Sequence, residues 1–270
     1  MRTDPAAHLE RRTLVTDDGI PLSAAHRRGP SDVAVVLAHG FSGSWRRPAV
    51  LRVVEGLAPY AGVVAVDLRG HGASGGRSTL GHLEVLDVDA ALRWARLLGY
   101  PTVVTVGFSM GGSVVVRHAA LHGGTDAVIS VSGPAYWYYR GTPVMRRLHR
   151  AVDSRVGRAV VRTALRTRLD RPPWPDPPPI PPVEAAALLG RTPLLVVHGD
   201  QDRFFPQEHA TALHTAATRA AGADVAELWW EHGFGHAEAA IPAELLDRMG
   251  LWARMRTGNN ALPSPRWRAS

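Results

Sequence analysis

The sequence contains no cysteine and no lysine. Without cysteine there is no disulfide scaffold, no thiolate metal site and no cysteine nucleophile. Every basic residue is arginine. Nowhere does an apolar run approach the ~20 residues needed to span a bilayer. The first residues, MRTDPAAHLERR, place no apolar core behind their charges, so no secretory signal is expected. No internal repeat is visible. Together these absences lead to the expectation of a cytoplasmic protein.

The 270 residues, 45% of them hydrophobic, are enough for one sizeable core. A single large domain carrying an insertion is expected rather than two equal domains. The formal net charge of +7 is concentrated. Between Pro134 and Thr192 there are 11 arginines and four acids (Asp153, Asp170, Asp176, Glu184), while the rest of the chain holds 20 of each sign. A charge excess confined to one segment, alongside catalytic motifs elsewhere, does not suggest a nucleic-acid partner.

Strand-length apolar runs alternate with helical patterns, which predicts an α/β fold with a mostly parallel sheet covered on both faces. TLVTDDGIPLSAAH reads as a hairpin turning at Asp18-Gly19. VAVVLAHG, VVAVDLRG, VVTVGFS, AVISVSG, PLLVVHGD and DVAELWWEH follow as strands. Leu83 to Leu98, Gly111 to Leu121 and Ala237 to Met255 read as helices. Between Gly133 and Arg191 the rhythm breaks for too long to be a plain crossover. The stretch begins YWYYR, continues as an amphipathic helix and ends RPPWPDPPPIPP, which proline keeps extended. The expected organisation is a core over 1–133, a cap insertion over 134–192, the rest of the core over 193–257 and a flexible tail over 258–270.

GFSMG, from Gly107 to Gly111, lies where a predicted strand meets a predicted helix. This is the G-x-S-x-G nucleophile elbow, whose turn is so tight that the flanking positions need residues without side chains. The serine is pushed into the open, and Ser109 is the candidate nucleophile. A serine hydroxyl attacks only when a base takes its proton, so a histidine and an orienting carboxylate are needed on loops at the carboxyl ends of later strands. His236, in EHGFGHAEA after the last strand, is favoured over its rival His232 because Gly233 and Gly235 let its loop reach back over the elbow. HGDQDRFFP offers Asp202 as the acid, with Asp200 as the alternative. Asp200 directly follows the strand end and suits a turn-shaping role. The chain order serine, aspartate, histidine is the one this motif requires.

A tetrahedral oxyanion needs donors already in place. The Met110 N–H, directly after the nucleophile, is one. The second is assigned to the Phe41 N–H in HGFSGS, with the Ser42 side chain as the alternative. His39, at a strand end, reads as a buried residue bracing that loop rather than as a base.

HGFSGS, DLRGHGASGG (Asp67 to Gly76), GFSMGG, HGDQDRFFP and GFGH together resemble the α/β-hydrolase superfamily. The resemblance covers nearly the whole chain apart from cap and tail. It implies an eight-stranded sheet with the second strand antiparallel, a variable cap after strand six, and a bracing role for Asp67, Arg69 and His71. Serine at the elbow argues against the dehalogenase and epoxide hydrolase branches, and the HGGG loop of one lipase branch is missing. The chain resembles the smaller esterases, lysophospholipases and acyl thioesterases.

The expected activity is hydrolysis of a carboxylic ester or thioester of a small-molecule acyl substrate through an acyl-enzyme. Lysophospholipid and C–C bond hydrolysis use the same machinery, and no metal or cofactor is implied. A binding protein with an inactive site and a proline-rich adaptor are the competing classes; a complete set of catalytic groups argues against the first, and a short proline tract in a cap more often acts as a rigid linker. Met145, Leu148, Val152, Val156 and Val160 recur at helical spacing opposite Arg146, Arg147, Arg150 and Arg158. This predicts one amphipathic helix, either packed on the body with solvated arginines or touching anionic lipid. Tyr136, Trp137, Tyr138 and Tyr139 either line the site or anchor the cap.

Overall fold

A computed structural model describes residues 6, 8–30, 32–171 and 174–258. The beginning of the N-terminal stretch, Pro172 and Pro173 of the proline tract, and the expected tail beyond Gly258 lie outside the described residues. Eight strands form one sheet: β1 (Glu10–Val15), β2 (Pro21–Arg27), β3 (Val33–Ala38), β4 (Gly62–Val66), β5 (Thr102–Phe108), β6 (Ala127–Val131), β7 (Leu194–Gly199) and β8 (Ala226–Glu231). Their order is β1-β2-β4-β3-β5-β6-β7-β8. β2 runs antiparallel to both neighbours, and every other pair is parallel. The hairpin joining β1 and β2 turns where Asp18-Gly19 predicts, with Gly19 at φ 79°.

β3 shows why its sequence is a continuous apolar run. All six residues are buried, because helices cover both faces. Ala34, Val36 and Ala38 face α2 (Glu84–Leu97) and α3 (Met110–Leu121). Val33, Val35 and Leu37 face α1 (Pro48–Leu57) and the closing helices. Each fully buried valine or leucine contributes about 1.5–3 kcal/mol, so the strands that carry the site loops are firmly held. Between β6 and β7 lie α4 (Pro143–Asp153), α5 (Arg155–Ala164) and α6 (Pro182–Ala187); α7 (Glu208–Ala221) precedes β8, and α8 (Ala237–Ala240) and α9 (Ala243–Arg256) follow it.

Three details depart from the sequence reading. The closing helix is two helices, because Pro242 lacks an N–H and its ring would collide with the carbonyl of Glu238 in a continuous helix. The expected single amphipathic helix is likewise two. Ser154 ends α4, and its hydroxyl accepts the Gly157 N–H at 2.9 Å to start α5 in a new direction. Finally, Ala185, Ala186 and Leu189 at the end of the insertion pack into the body's core with residues of α3 and α7.

Candidate active site

The elbow forms where the β5 strand can run no further. A Cβ on Gly107 would stand 2.1 Å from the Gly111 carbonyl oxygen, and one on Gly111 2.3 Å from the Ala38 oxygen. Only glycine fits either position, which is the physical content of the motif. Ser109 between them takes φ 51° and ψ −118°, a conformation costing about 1–3 kcal/mol that the surrounding packing imposes. Its own N–H is held by the Val131 carbonyl at 2.9 Å. The hydroxyl stands at the carboxyl edge of the sheet.

His236 reaches that hydroxyl from the loop after β8. Its Nε2 lies 2.9 Å from Ser109 Oγ, and its Nδ1 lies 2.7 Å from Asp202 Oδ2. The imidazole stacks on Phe204, with ring centres 4.1 Å apart, which fixes its plane. The Asp202 side chain is fully buried. Its Oδ1 accepts the Phe204 and Phe205 N–H groups at 2.8 and 3.1 Å, an Asx-type turn that leaves Oδ2 for the histidine. Burial by itself would raise the Asp202 pKa, but the His236 hydrogen bond and charge, with the two amides, hold it below the ordinary carboxylate value. A carboxylate that stays ionised keeps the Nδ1–H tautomer in place and leaves Nε2 as the acceptor facing serine.

The rival residues pair with each other instead. His232 is 98% exposed and its Nδ1 contacts Asp200 Oδ2 at 2.6 Å. Asp200 Oδ1 accepts the Gly233 N–H at 2.8 Å, which shapes the loop that presents His236. His39 is buried, with Nδ1 donating to the Gly40 carbonyl at 2.7 Å and Nε2 accepting the Leu68 N–H at 3.1 Å, so it braces the loop after β3. Asp67 holds the Trp45 and Ala73 amides, and Arg69 bridges Asp18 and Asp87. His71 is buried against His39, and burial together with that second ring pushes its pKa down to about 3. None of these three faces Ser109 as a reacting group.

Met110 opens α3, so its N–H has no carbonyl partner within the helix. Phe41 and Ser42 line the same cavity as Ser109 and Met110, which puts both expected donor positions around the nucleophile. The cavity measures about 520 Å³. Tyr136, Trp137, Tyr138 and Tyr139 all line it, and Trp137 also donates from Nε1 to the Pro179 carbonyl at 2.7 Å, so the aromatic run both lines the site and ties down the insertion. Met145, Leu148 and Val152 of α4 form part of the roof.

One residue at the site escaped sequence reasoning. Glu238, two positions after His236, lines the cavity and accepts the Gly40 N–H at 3.2 Å. Only its distance in sequence from His236 could have pointed to it. Among the described residues no group of three or more His, Asp or Glu side chains is arranged to hold a metal ion. Nor, among them, is any helix long and apolar enough to cross a membrane.

Comparison with known proteins agrees with this architecture. A family model described as the alpha/beta hydrolase fold matches residues 33–139. A monoacylglycerol lipase of Mycolicibacterium smegmatis is 31% identical over 205 residues, covering 64% of this chain and 71% of the relative. Among solved structures, the esterase Pf2001 of Pyrococcus furiosus superposes with a TM-score of 0.75 at 22% identity, over 94% of this chain and 93% of that one. Est1E of Butyrivibrio proteoclasticus, solved with ferulic acid bound, gives 0.63 at 20% identity over 91% and 98%.

Proposed function

The chain belongs to the α/β-hydrolase superfamily and is a hydrolase, and from that premise we propose that it cleaves carboxylic esters with Ser109 as nucleophile, His236 as base and Asp202 as its orienting acid. The observation that carries this reading is the continuous hydrogen-bonded line from Ser109 Oγ through His236 to Asp202 Oδ2. Ser109 Oγ attacks the acyl carbonyl as its proton passes to His236 Nε2. The oxyanion is received by the Met110 and Phe41 N–H groups, each such donor being worth about 3 kcal/mol in the barrier. The imidazolium gives its proton to the departing alcohol oxygen, leaving an acyl-serine. Water then repeats the cycle, with its proton going to His236 and on to Ser109 as the acid departs.

The cavity supports a monoester with an apolar acyl group. Its aromatic and aliphatic walls favour hydrocarbon, and its volume suits a small to medium-sized ligand. The relative named a monoacylglycerol lipase is consistent with such a substrate. A fluorescent alkyl phosphonate is expected to label the protein, and Ser109→Ala to abolish labelling while leaving the melting temperature within a few degrees. Labelling that persists in Ser109→Ala would remove Ser109 from the role.

The expected cap insertion over 134–192 adds a second element to this reading, contact with an anionic lipid surface. α4 turns its apolar side to the cavity, whereas α5 turns Val156 and Val160 outward, 76% and 54% exposed. Ala159 and Ala164 are exposed with them, and exposed Arg155, Arg162 and Arg166 flank this strip. Apolar side chains bordered by arginines suit the headgroup boundary of a negatively charged bilayer, where each arginine adds about 1 kcal/mol. Sedimentation with vesicles is expected to give binding at least roughly tenfold stronger when anionic lipid replaces part of the phosphatidylcholine, weakening with salt and in Val156→Asp/Val160→Asp. Equal binding to neutral and anionic vesicles would remove this element and leave the hydrolase reading untouched.

A further inference from the structure

Charged side chains enter the lining of the cavity around Ser109 from only part of its circumference, the loop after β3, the start of α1 and α8. The insertion contributes mostly aromatic and aliphatic lining, including Trp137, Leu148, Val152 and Leu165 beside His149, and Leu80 and Phe204 of the body add to it. The loop after β3, the start of α1 and α8 contribute the charged groups Arg47 and Glu238 and the Ser42 hydroxyl, among apolar Phe41, Val50 and Ala237. Arg47 is exposed at the rim. Glu238 lies deeper, beside the nucleophile. A Cβ placed on Gly40 would stand 3.2 Å from Ser109 Cβ and 3.3 Å from Glu238 Oε2, so the serine and the carboxylate flank one glycine that separates them.

A carboxylate beside the nucleophile bears on the charge of the reaction. It faces the region where negative charge develops on the carbonyl oxygen, and like charges at short range in a partly desolvated cavity repel. Glu238 spends one of its roughly four acceptor positions on the Gly40 N–H. Among the described residues no basic side chain stands within ion-pair distance of it. The remaining acceptor capacity opens onto the cavity.

We propose that Glu238 forms a leaving-group subsite, accepting hydrogen bonds from a hydroxyl-bearing alcohol. The inference rests on the serine-hydrolase reading above and adds the chemistry of the departing half of the substrate. An apolar acyl chain takes the hydrocarbon surface of the insertion, which leaves the alcohol the part of the cavity that carries Glu238. Glu238 is also near the departing oxygen, since His236 Nε2 delivers the proton to it and Glu238 follows His236 by two residues at the start of α8. Hydroxyl groups on the alcohol donate to the carboxylate in charge-assisted hydrogen bonds and screen it from the oxyanion. A plain alkyl alcohol leaves the carboxylate desolvated and unscreened. An anionic leaving group such as coenzyme A meets repulsion in the same place.

Three butyryl substrates of matched acyl group test this: the 2,3-dihydroxypropyl ester, the propyl ester and the coenzyme A thioester. In the unsubstituted protein kcat/KM is expected to favour the dihydroxypropyl ester over the propyl ester by roughly tenfold or more, with the thioester last. In Glu238→Gln the two esters are expected to move in opposite directions. The diol ester loses roughly tenfold as the charged acceptor goes, and the propyl ester gains as the repulsion of the oxyanion goes. Loss of a merely structural contact would lower both. Glu238→Asp, which keeps the charge on a shorter arm, is expected to retain the order of the esters. Equal kcat/KM for the two esters, an unchanged ratio in Glu238→Gln, parallel loss on both, or preference for the thioester would each overturn the subsite. Phosphonate labelling of the same preparations separates the two readings. A protein that labels at Ser109 but ignores the diol loses only the subsite, whereas one that neither labels nor hydrolyses any of the three loses the serine-hydrolase reading and the subsite with it.

Discussion

Replacing His236 by alanine is expected to lower kcat for any ester the protein hydrolyses by about four to six powers of ten, with the fold intact. The size follows from the two jobs that the proposed mechanism gives the ring. In the proposed mechanism its Nε2, 2.9 Å from Ser109 Oγ, takes the proton that makes the hydroxyl a nucleophile and later gives it to the alcohol. Alanine supplies neither transfer, and the fully buried Asp202 side chain is left 2.7 Å from an empty position with no Nδ1–H to accept. The matched control is His232→Ala. That ring is 98% exposed and bound to Asp200 on the outer surface, so turnover is expected to stay within about twofold. Steady-state kinetics on one p-nitrophenyl ester, with melting temperatures for all three proteins, decides the matter. Turnover that survives in His236→Ala and collapses in His232→Ala would move the base to the other side of the loop.

Much of this site was legible because its parts have narrow physical requirements. Gly107 and Gly111 are forced by backbone approaches of just over 2 Å, so the elbow leaves a mark in the sequence that few substitutions could erase. β3 and β5 are buried on both faces and read as continuous apolar runs, which placed the loops at their ends. The pairing of His236 with Asp202 followed from chain order and loop position. Glu238 had no such mark. An acid at the start of a helix is ordinarily a favourable partner of the helix dipole, and only the folded chain brings it across to Gly40, 198 positions earlier. The insertion was misread for a similar reason. Helical spacing runs without interruption from Met145 to Val160, yet Ser154 caps a new helix, and the outer two valines face solvent instead of the cavity. Periodicity reports which residues share a face, but not whether a cap has re-aimed the axis.

The second large effect concerns acid. His209 is 2% exposed, ringed by Tyr139, Phe205 and Tyr136, and its Nδ1 accepts the Ala135 N–H at 3.0 Å. Burial, followed by the nearby His198, pushes its pKa down to about 4, with Glu208 and Asp202 pulling weakly the other way. The native state thus refuses a proton that the unfolded chain accepts below its ordinary value of about 6.5. The stability this neutral ring contributes is complete above that value, falls as pH drops toward 4, and changes no further below it. At ~1.4 kcal/mol per pKa unit the loss is about 3 kcal/mol over the interval. His209→Asn isolates the effect, because the asparagine Oδ1 can accept the same Ala135 amide and cannot titrate. At pH 7 the variant is expected to be about 1–3 kcal/mol less stable through lost ring packing. By pH 4 that difference is expected to vanish or reverse, and urea unfolding of the pair at successive pH values reads it directly, since the remaining titrating groups are common to both proteins. A difference that stays constant from pH 7 to pH 4 would show that His209 carries no such linkage. The Ala135 amide immediately precedes the aromatic run that lines the cavity, so protonating His209 would release the insertion at its root. KM for apolar esters is therefore expected to rise on acidification in the unsubstituted protein over the same interval in which its stability falls, and to stay flatter in His209→Asn.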